Sequence, residues 1–214
     1  MKTFGKLLTA AIILCAVSSC KKEPVRVACM GDSITYGHGI ADRDNDTYPA
    51  QLGKILGDKY DVRNFGVCGV TLMNGTDMPY SNEQAYRDAL EFNPQIITLL
   101  LGTNDSKPYN WKDQEQFKTD AKAMIDELRS LPSNPEIWLM LPTPAMGHAW
   151  SIDDSIISAF VIPGLKEVAQ QEGLPVIDLY TPFIGKGQHF PDTIHPTEQG
   201  DSVITDIIFN TIFK

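Results

Sequence analysis

The chain has 214 residues, with 27 Asp and Glu against 18 Lys and Arg and a formal charge of -9. At 43% hydrophobic and 21% charged it can bury one sizeable core. Its acidity excludes binding to nucleic acid or an anionic bilayer through a basic patch. No CxxC or HExxH spacing occurs, so neither a metal nor any other cofactor is expected.

The first segment reads as a secretory signal. Lys2 and Lys6 form a basic start, and Leu7 to Val17 is an apolar run, too short for a membrane span of ~20 residues. Val17-Ser18-Ser19-Cys20 resembles a bacterial lipobox, in which the cysteine becomes the lipidated N-terminus. The expected organisation is residues 1–19 as lipoprotein signal, 20–24 as a tether and 25–214 as one domain. Cleavage removes Lys2 and Lys6 and takes the formal charge to -11. The expected place is the cell envelope, with the lipid on Cys20 as the sole membrane attachment. Oligomeric state is left open. Of the four cysteines, Cys29 and Cys68 remain within the domain, as two buried free thiols or, in an oxidising compartment, a disulfide.

Strand-like and helix-like runs then alternate. Val25–Met30, Asp61–Phe65, Gln95–Leu101, Glu136–Leu141 and Pro175–Leu179 read as five strands apolar enough for a buried parallel sheet. Between them, Tyr48–Leu56 follows a candidate N-cap at Thr47, and Glu83–Phe92 ends before Asn93-Pro94. Trp111–Leu131 repeats Phe117, Ala121, Met124, Ile125 and Leu128 at helical spacing. Ile152–Gln171 is expected to break or kink at Pro163-Gly164. Thr197–Phe213 closes the chain, burying Val203, Ile204, Ile207, Ile208 and Ile212. Such alternation implies a three-layer α/β/α sandwich with right-handed crossovers. The irregular stretches 66–82, 142–151 and 180–194 follow strands and should rim one crevice.

Four short blocks sit where strands end: Gly31-Asp32-Ser33, Asn64-Phe65-Gly66, Gly102-Thr103-Asn104-Asp105 and Asp192-Thr193-Ile194-His195. Hydrolysis by serine needs an activated hydroxyl and donors aimed at an oxyanion. Ser33, at a strand-to-helix turn, is the candidate nucleophile. His195 is the candidate base, with Asp192 three residues earlier to hold its ring. His38 lies too near Ser33 in sequence to be an obvious partner, while His148 and His189 lack an adjacent carboxylate and suit surface or rim roles. The candidate oxyanion donors are the Ser33 N–H, the Gly66 N–H, where the missing side chain permits close approach, and the Asn104 amide. Alone, Asn104 would read as a turn cap. Asp105 has no chemical role in this scheme and is expected to make a structural hydrogen bond.

In combination the blocks resemble those of the SGNH/GDSL hydrolase superfamily, with Ser33, Gly66, Asn104 and His195 at its four named positions and Asp192 as the triad acid. The resemblance implies a flavodoxin-like five-stranded parallel sheet in the order 2-1-3-4-5. It also separates the chain from α/β-hydrolases, whose serine lies mid-chain in a GxSxG elbow; here residue 35 is Thr. The superfamily includes lipases, thioesterases and carbohydrate esterases, so a lysophospholipase or thioesterase is the alternative activity and a non-catalytic glycan-binding lipoprotein a remoter one. Residues 73–82 and 103–111 mix aromatic rings with amides and hydroxyls, which favours a small-molecule or glycan ester. The stretch Asn104 to Pro108 resembles bacterial members labelled sialate or carbohydrate O-acetylesterases, and acetyl is the expected acyl group.

Overall fold

The computed structural model describes residues 22–214. The signal segment 1–19 and the lipidation candidate Cys20 lie outside the described residues. Five strands, β1 (Val25–Gly31), β2 (Tyr60–Gly66), β3 (Ile96–Leu100), β4 (Glu136–Leu141) and β5 (Val176–Asp178), form one all-parallel sheet in the order 2-1-3-4-5. Nine α-helical segments are described: α1 (Ser33–Tyr36), α2 (Arg43–Asp46), α3 (Tyr48–Leu56), α4 (Gln84–Phe92), α5 (Gln114–Arg129), α6 (Asp154–Ile156), α7 (Ile162–Glu172), α8 (Tyr180–Phe183) and α9 (Glu198–Ile212). The expected sandwich and strand order are those of the structure.

Period-two alternation divides the core. Ala28 and Met30 of β1, Ile97 and Leu99 of β3, and Ile137 and Leu139 of β4 face α4, α5 and α7, where Tyr86, Phe117 and Leu165 meet them. Cys29, Leu100 and Met140 face the other way, onto Tyr48 and Leu52 of α3 and Ile204 and Ile208 of α9. The five apolar positions named for α5 are all buried, as are Ile204 and Ile208 of the final helix, whereas Val203, Ile207 and Ile212 are half-buried. β2 differs from expectation. It is an edge strand with Arg63 and Asn64 exposed, and Arg63 pairs along the strand with Asp61 at 2.7 Å; charge on an edge suppresses pairing with other chains.

The segment from 154 to 172 does not break at Pro163. A π-helical turn, Ile157–Val161, leads directly into α7, and Pro163 falls in its first turn. There a proline lacks an N–H that the helix start does not use, so the irregularity sits before the proline rather than at it. Gly164 packs against Phe117, where an added methyl would lie 3.2 Å from the ring. Close helix packing is therefore the local reason for that glycine.

Candidate active site

The parallel register aligns the strand ends. Gly31 pairs with both Gly66 and Leu100, and Leu100 pairs with Met140, so the segments that follow β1, β2, β3 and β4 emerge along one edge of the sheet. A Cβ on Gly31 would overlap Thr35 Oγ1 and lie 2.5 Å from Leu100 O, so only glycine allows the chain to turn there into α1. Asp32 caps that helix by accepting the Ile34 N–H at 2.9 Å. Ser33 is thereby fixed in the first turn, buried at 5% exposure, and its own N–H has no acceptor among the described residues.

His195 arrives 162 residues later on a tight turn in which Thr193 adopts φ +75°. Asp192 holds that turn: its Oδ1 accepts the N–H groups of Ile194 at 2.9 Å and His195 at 2.7 Å, and its Oδ2 lies 2.7 Å from His195 Nδ1. On the other side of the ring, His195 Nε2 is 2.8 Å from Ser33 Oγ. The hydroxyl can donate to Nε2 when Nδ1–H donates to the carboxylate, which is the tautomer a general base requires. Burial pushes the Asp192 carboxyl up, but the two backbone donors and the His195 ring outweigh it and leave it below the usual carboxylate range. Burial lowers the His195 pKa and neighbouring His38 adds to that, while Asp192 opposes; the net value is below that of an ordinary histidine.

Asn104, buried at 3% exposure, does not cap its own turn. Its Nδ2 donates across 34 residues to the Val70 carbonyl at 3.0 Å, which fixes the amide with a second hydrogen to offer. It lines an open cleft together with Ser33, His195, Gly69, Trp150 and Ile152. Gly66 requires a correction. Its N–H donates to Asn64 Oδ1 at 2.9 Å, and its Cα packs so closely on α1 that a Cβ would overlap the backbone of Tyr36. Gly66 is thus a packing glycine, and Gly69 is the glycine of this block that lines the cleft, with φ +87° and an N–H that has no acceptor among the described residues. The available signal was a second glycine three residues on; only the loop's path distinguishes the two.

Asp105 makes the structural bonds expected of it: its carboxylate accepts Leu72 N–H at 2.9 Å and Met73 N–H at 2.7 Å. Burial raises its pKa to about 7. Cys29 and Cys68 are both free thiols. Cys29 is in the core, where burial pushes it up to about 12. Cys68 is half-buried in the cleft wall, 3.9 Å from His38 Nδ1, a neighbour supplied from 30 residues away. His38 also stacks obliquely on His195, ring centres 4.3 Å apart, so it belongs to the cleft despite its nearness to Ser33 in sequence. His38, Asp192 and His195 bring ligating atoms within 4.8 Å of one another, yet two of the three are already bonded to each other and to Ser33. His148 is exposed, and His189 packs on Phe183 at 5.9 Å. Trp150, half-exposed at φ +53°, packs edge-on to His195 at 4.9 Å; nothing local in the sequence marks it.

A parallel doubly wound sheet with a serine, a histidine and a carboxylate in hydrogen-bond sequence at its carboxyl edge defines a serine-hydrolase architecture. The chain belongs to the GDSL-like lipase/acylhydrolase family, whose model matches residues 29–203. It is similar to an acetylxylan esterase of Xylanibacter ruminicola, 43% identical over 206 residues, 88% of this chain and 43% of that protein. The chain thus spans less than half the length of that relative. Among solved structures, the acetyl xylan esterase AlAXEase superimposes with a TM-score of 0.70 at 20% identity, covering 88% of this chain and all of the other. A lipolytic protein of the G-D-S-L family from Veillonella parvula gives 0.67 at 20% identity, covering 89% of this chain and 99% of the other. These two likenesses concern the fold.

Proposed function

We propose that the chain is a serine esterase that removes short acyl groups, acetyl above all, from carbohydrate. The observation that carries this reading is the unbroken hydrogen-bond series Asp192–His195–Ser33, at 2.7 and 2.8 Å, ending beside Asn104 in an open cleft. Ser33 Oγ attacks the ester carbonyl while His195 Nε2 takes its proton. The oxyanion forms against the Asn104 amide and the N–H groups of Ser33 and Gly69. His195 returns the proton to the departing sugar hydroxyl, leaving an acyl-enzyme on Ser33. Water, deprotonated by the same nitrogen, attacks that ester; acetate departs and the serine recovers its proton.

The acetyl and carbohydrate parts draw support from the acetylxylan esterase relative and from the cleft itself. Among the described residues lining it, Ile152 is the one aliphatic side chain, and the cleft's accessible surface is small. A long acyl chain gains ~0.8 kcal/mol per buried methylene, and this wall offers little surface for that gain. Across p-nitrophenyl esters, kcat/KM should fall steeply beyond butyrate, and acetate should be released from acetylated glycan. A profile rising to octanoate would favour the lysophospholipase or thioesterase alternative. Ser33→Ala should fold yet lose nearly all activity, and a fluorophosphonate should label Ser33 alone; labelling elsewhere would sink the assignment.

The segment ending at Cys20 supports a further reading, anchoring of the chain to the cell envelope by a lipid on that thiol. Mass spectrometry of the N-terminal peptide from native membranes should find a diacylglyceryl adduct on Cys20, and Cys20→Ser should release the protein. An unmodified, soluble wild type would contradict it.

A further inference from the structure

Lys107 stands three residues after Asn104 on the same cleft wall, its N–H donating to the Asn104 carbonyl at 3.3 Å. Only 8% of the residue is exposed. Among the described residues its ammonium makes no ion pair and no hydrogen bond. Its apolar stem lies buried in the wall while the ammonium keeps access to the cleft. Asp32, the acid behind Ser33, feels the Lys107 charge but forms no contact ion pair with it; its Oδ1 caps α1 and its Oδ2 makes no hydrogen bond among the described residues. Beside the ammonium, with its ring centre 6.0 Å from Nζ, stands Tyr109, 63% exposed.

A cation with no contact ion pair among the described residues, reaching the cleft and flanked by an exposed ring, is complementary to a ligand carrying both a negative charge and a flat apolar face. We infer that Lys107 and Tyr109 form a subsite for a sugar that bears a carboxylate, such as a uronic acid, next to the acyl group being removed. The ammonium pairs with the carboxylate, and the Tyr109 ring packs on the pyranose face. A neutral sugar would offer the ammonium no countercharge. On so acidic a body, a local cation is also what allows an anionic glycan to approach. The inference rests on the carbohydrate-ester reading above.

The test compares acetylated xylo-oligosaccharides with and without a glucuronic acid branch, using the full chain. The wild type should prefer the branched substrate by about ten- to hundredfold in kcat/KM, the range of a charge-assisted hydrogen bond. The preference should lie in KM and shrink at high salt. Lys107→Met keeps the apolar stem; it should bring the ratio near one, whatever the absolute rates. Lys107→Arg should retain most of the preference. Three results would overturn the subsite while leaving the carbohydrate reading in place. One is a wild type that does not discriminate. Another is a Lys107→Met protein whose kcat falls equally on both substrates, which would make the ammonium an electrostatic partner of the oxyanion. The third is acetate inhibition lost in Lys107→Met without any sugar discrimination, which would make it a product site. Hydrolysis of p-nitrophenyl acetate with no release from either glycan would overturn the carbohydrate reading, and the subsite with it.

Discussion

At 6% exposure, the His195 ring is held in surroundings that disfavour its charged form, and this sets the pH at which it can accept a proton. Burial takes its pKa below the ordinary value near ~6.5. The base must be neutral, so kcat/KM should be fully present above that pKa and fall as pH drops through it, with an acid limb below pH ~6.5. Asp192 opposes the lowering. Asp192→Asn should therefore move the limb to still lower pH while reducing kcat, and it should lose less activity than His195→Ala, since the carboxylate orients the ring rather than transferring protons. An acid limb unmoved in Asp192→Asn would contradict the assignment of that limb to His195. Losing one oxyanion donor costs ~10²–10³ in kcat, about 3–4 kcal/mol. Asn104→Ala should accordingly lower kcat far more than it raises KM. A defect confined to thermal stability would mean that the bond to Val70 is the residue's whole purpose.

The cleft depends on one long connection, the stretch between β2 and α4, which carries Cys68, Gly69 and Val70 past Ser33. It contains little regular structure and is fastened from outside by carboxylates: Asp105 takes the N–H groups of Leu72 and Met73, and Asp120 of α5 takes that of Asn74 at 2.8 Å. Asp105→Ala would strand two buried donors, each costing about 1–3 kcal/mol. The expected result is a lower Tm, faster hydrogen exchange at Leu72 and Met73, and a reduced kcat because Gly69 and the acceptor of Asn104 shift. Unchanged exchange at those amides would show that the loop holds itself. This fastening was not legible in the sequence. Asp105 could be read as structural, but its partners lie 32 and 33 residues away. The same holds for Gly66 and Gly69: composition puts both in one block, and the loop's path alone decides which N–H reaches the cleft. Regular elements were legible because their signal is local periodicity; the boundaries of α3, Tyr48–Leu56, were readable directly. The π-helical turn was not, since nothing in Ile157–Val161 distinguishes it from an α-helix until Pro163 requires the adjustment.

At the scale of the molecule, three carboxyls among the described residues occupy places where burial favours the neutral acid: Asp32 with a pKa of about 6, Asp105 of about 7 and Asp201 of about 8. Asp201 lies between α9 and α3, one oxygen accepting the Tyr48 N–H at 3.0 Å and the other unpartnered. Each group binds its proton more tightly folded than unfolded, where carboxyls titrate near ~3.9. The stability they contribute is therefore fully present below pH ~3.9 and is lost as pH rises through the folded values, from about 6 to about 8. Asp192, lowered instead, acts in the opposite sense and only at acid pH, where it loses its contribution as pH falls through its folded value. Between pH 5 and 9 the buried acids should dominate these opposing trends, and Tm should decline across that window. Asp201→Asn keeps an oxygen for Tyr48 N–H and removes the titration, so its Tm should decline less than the wild type's between pH 6 and 9, with the two closest at the acid end. Parallel declines would mean that Asp201 keeps an ordinary carboxylate pKa in the folded chain, through an ion or water reaching its free oxygen.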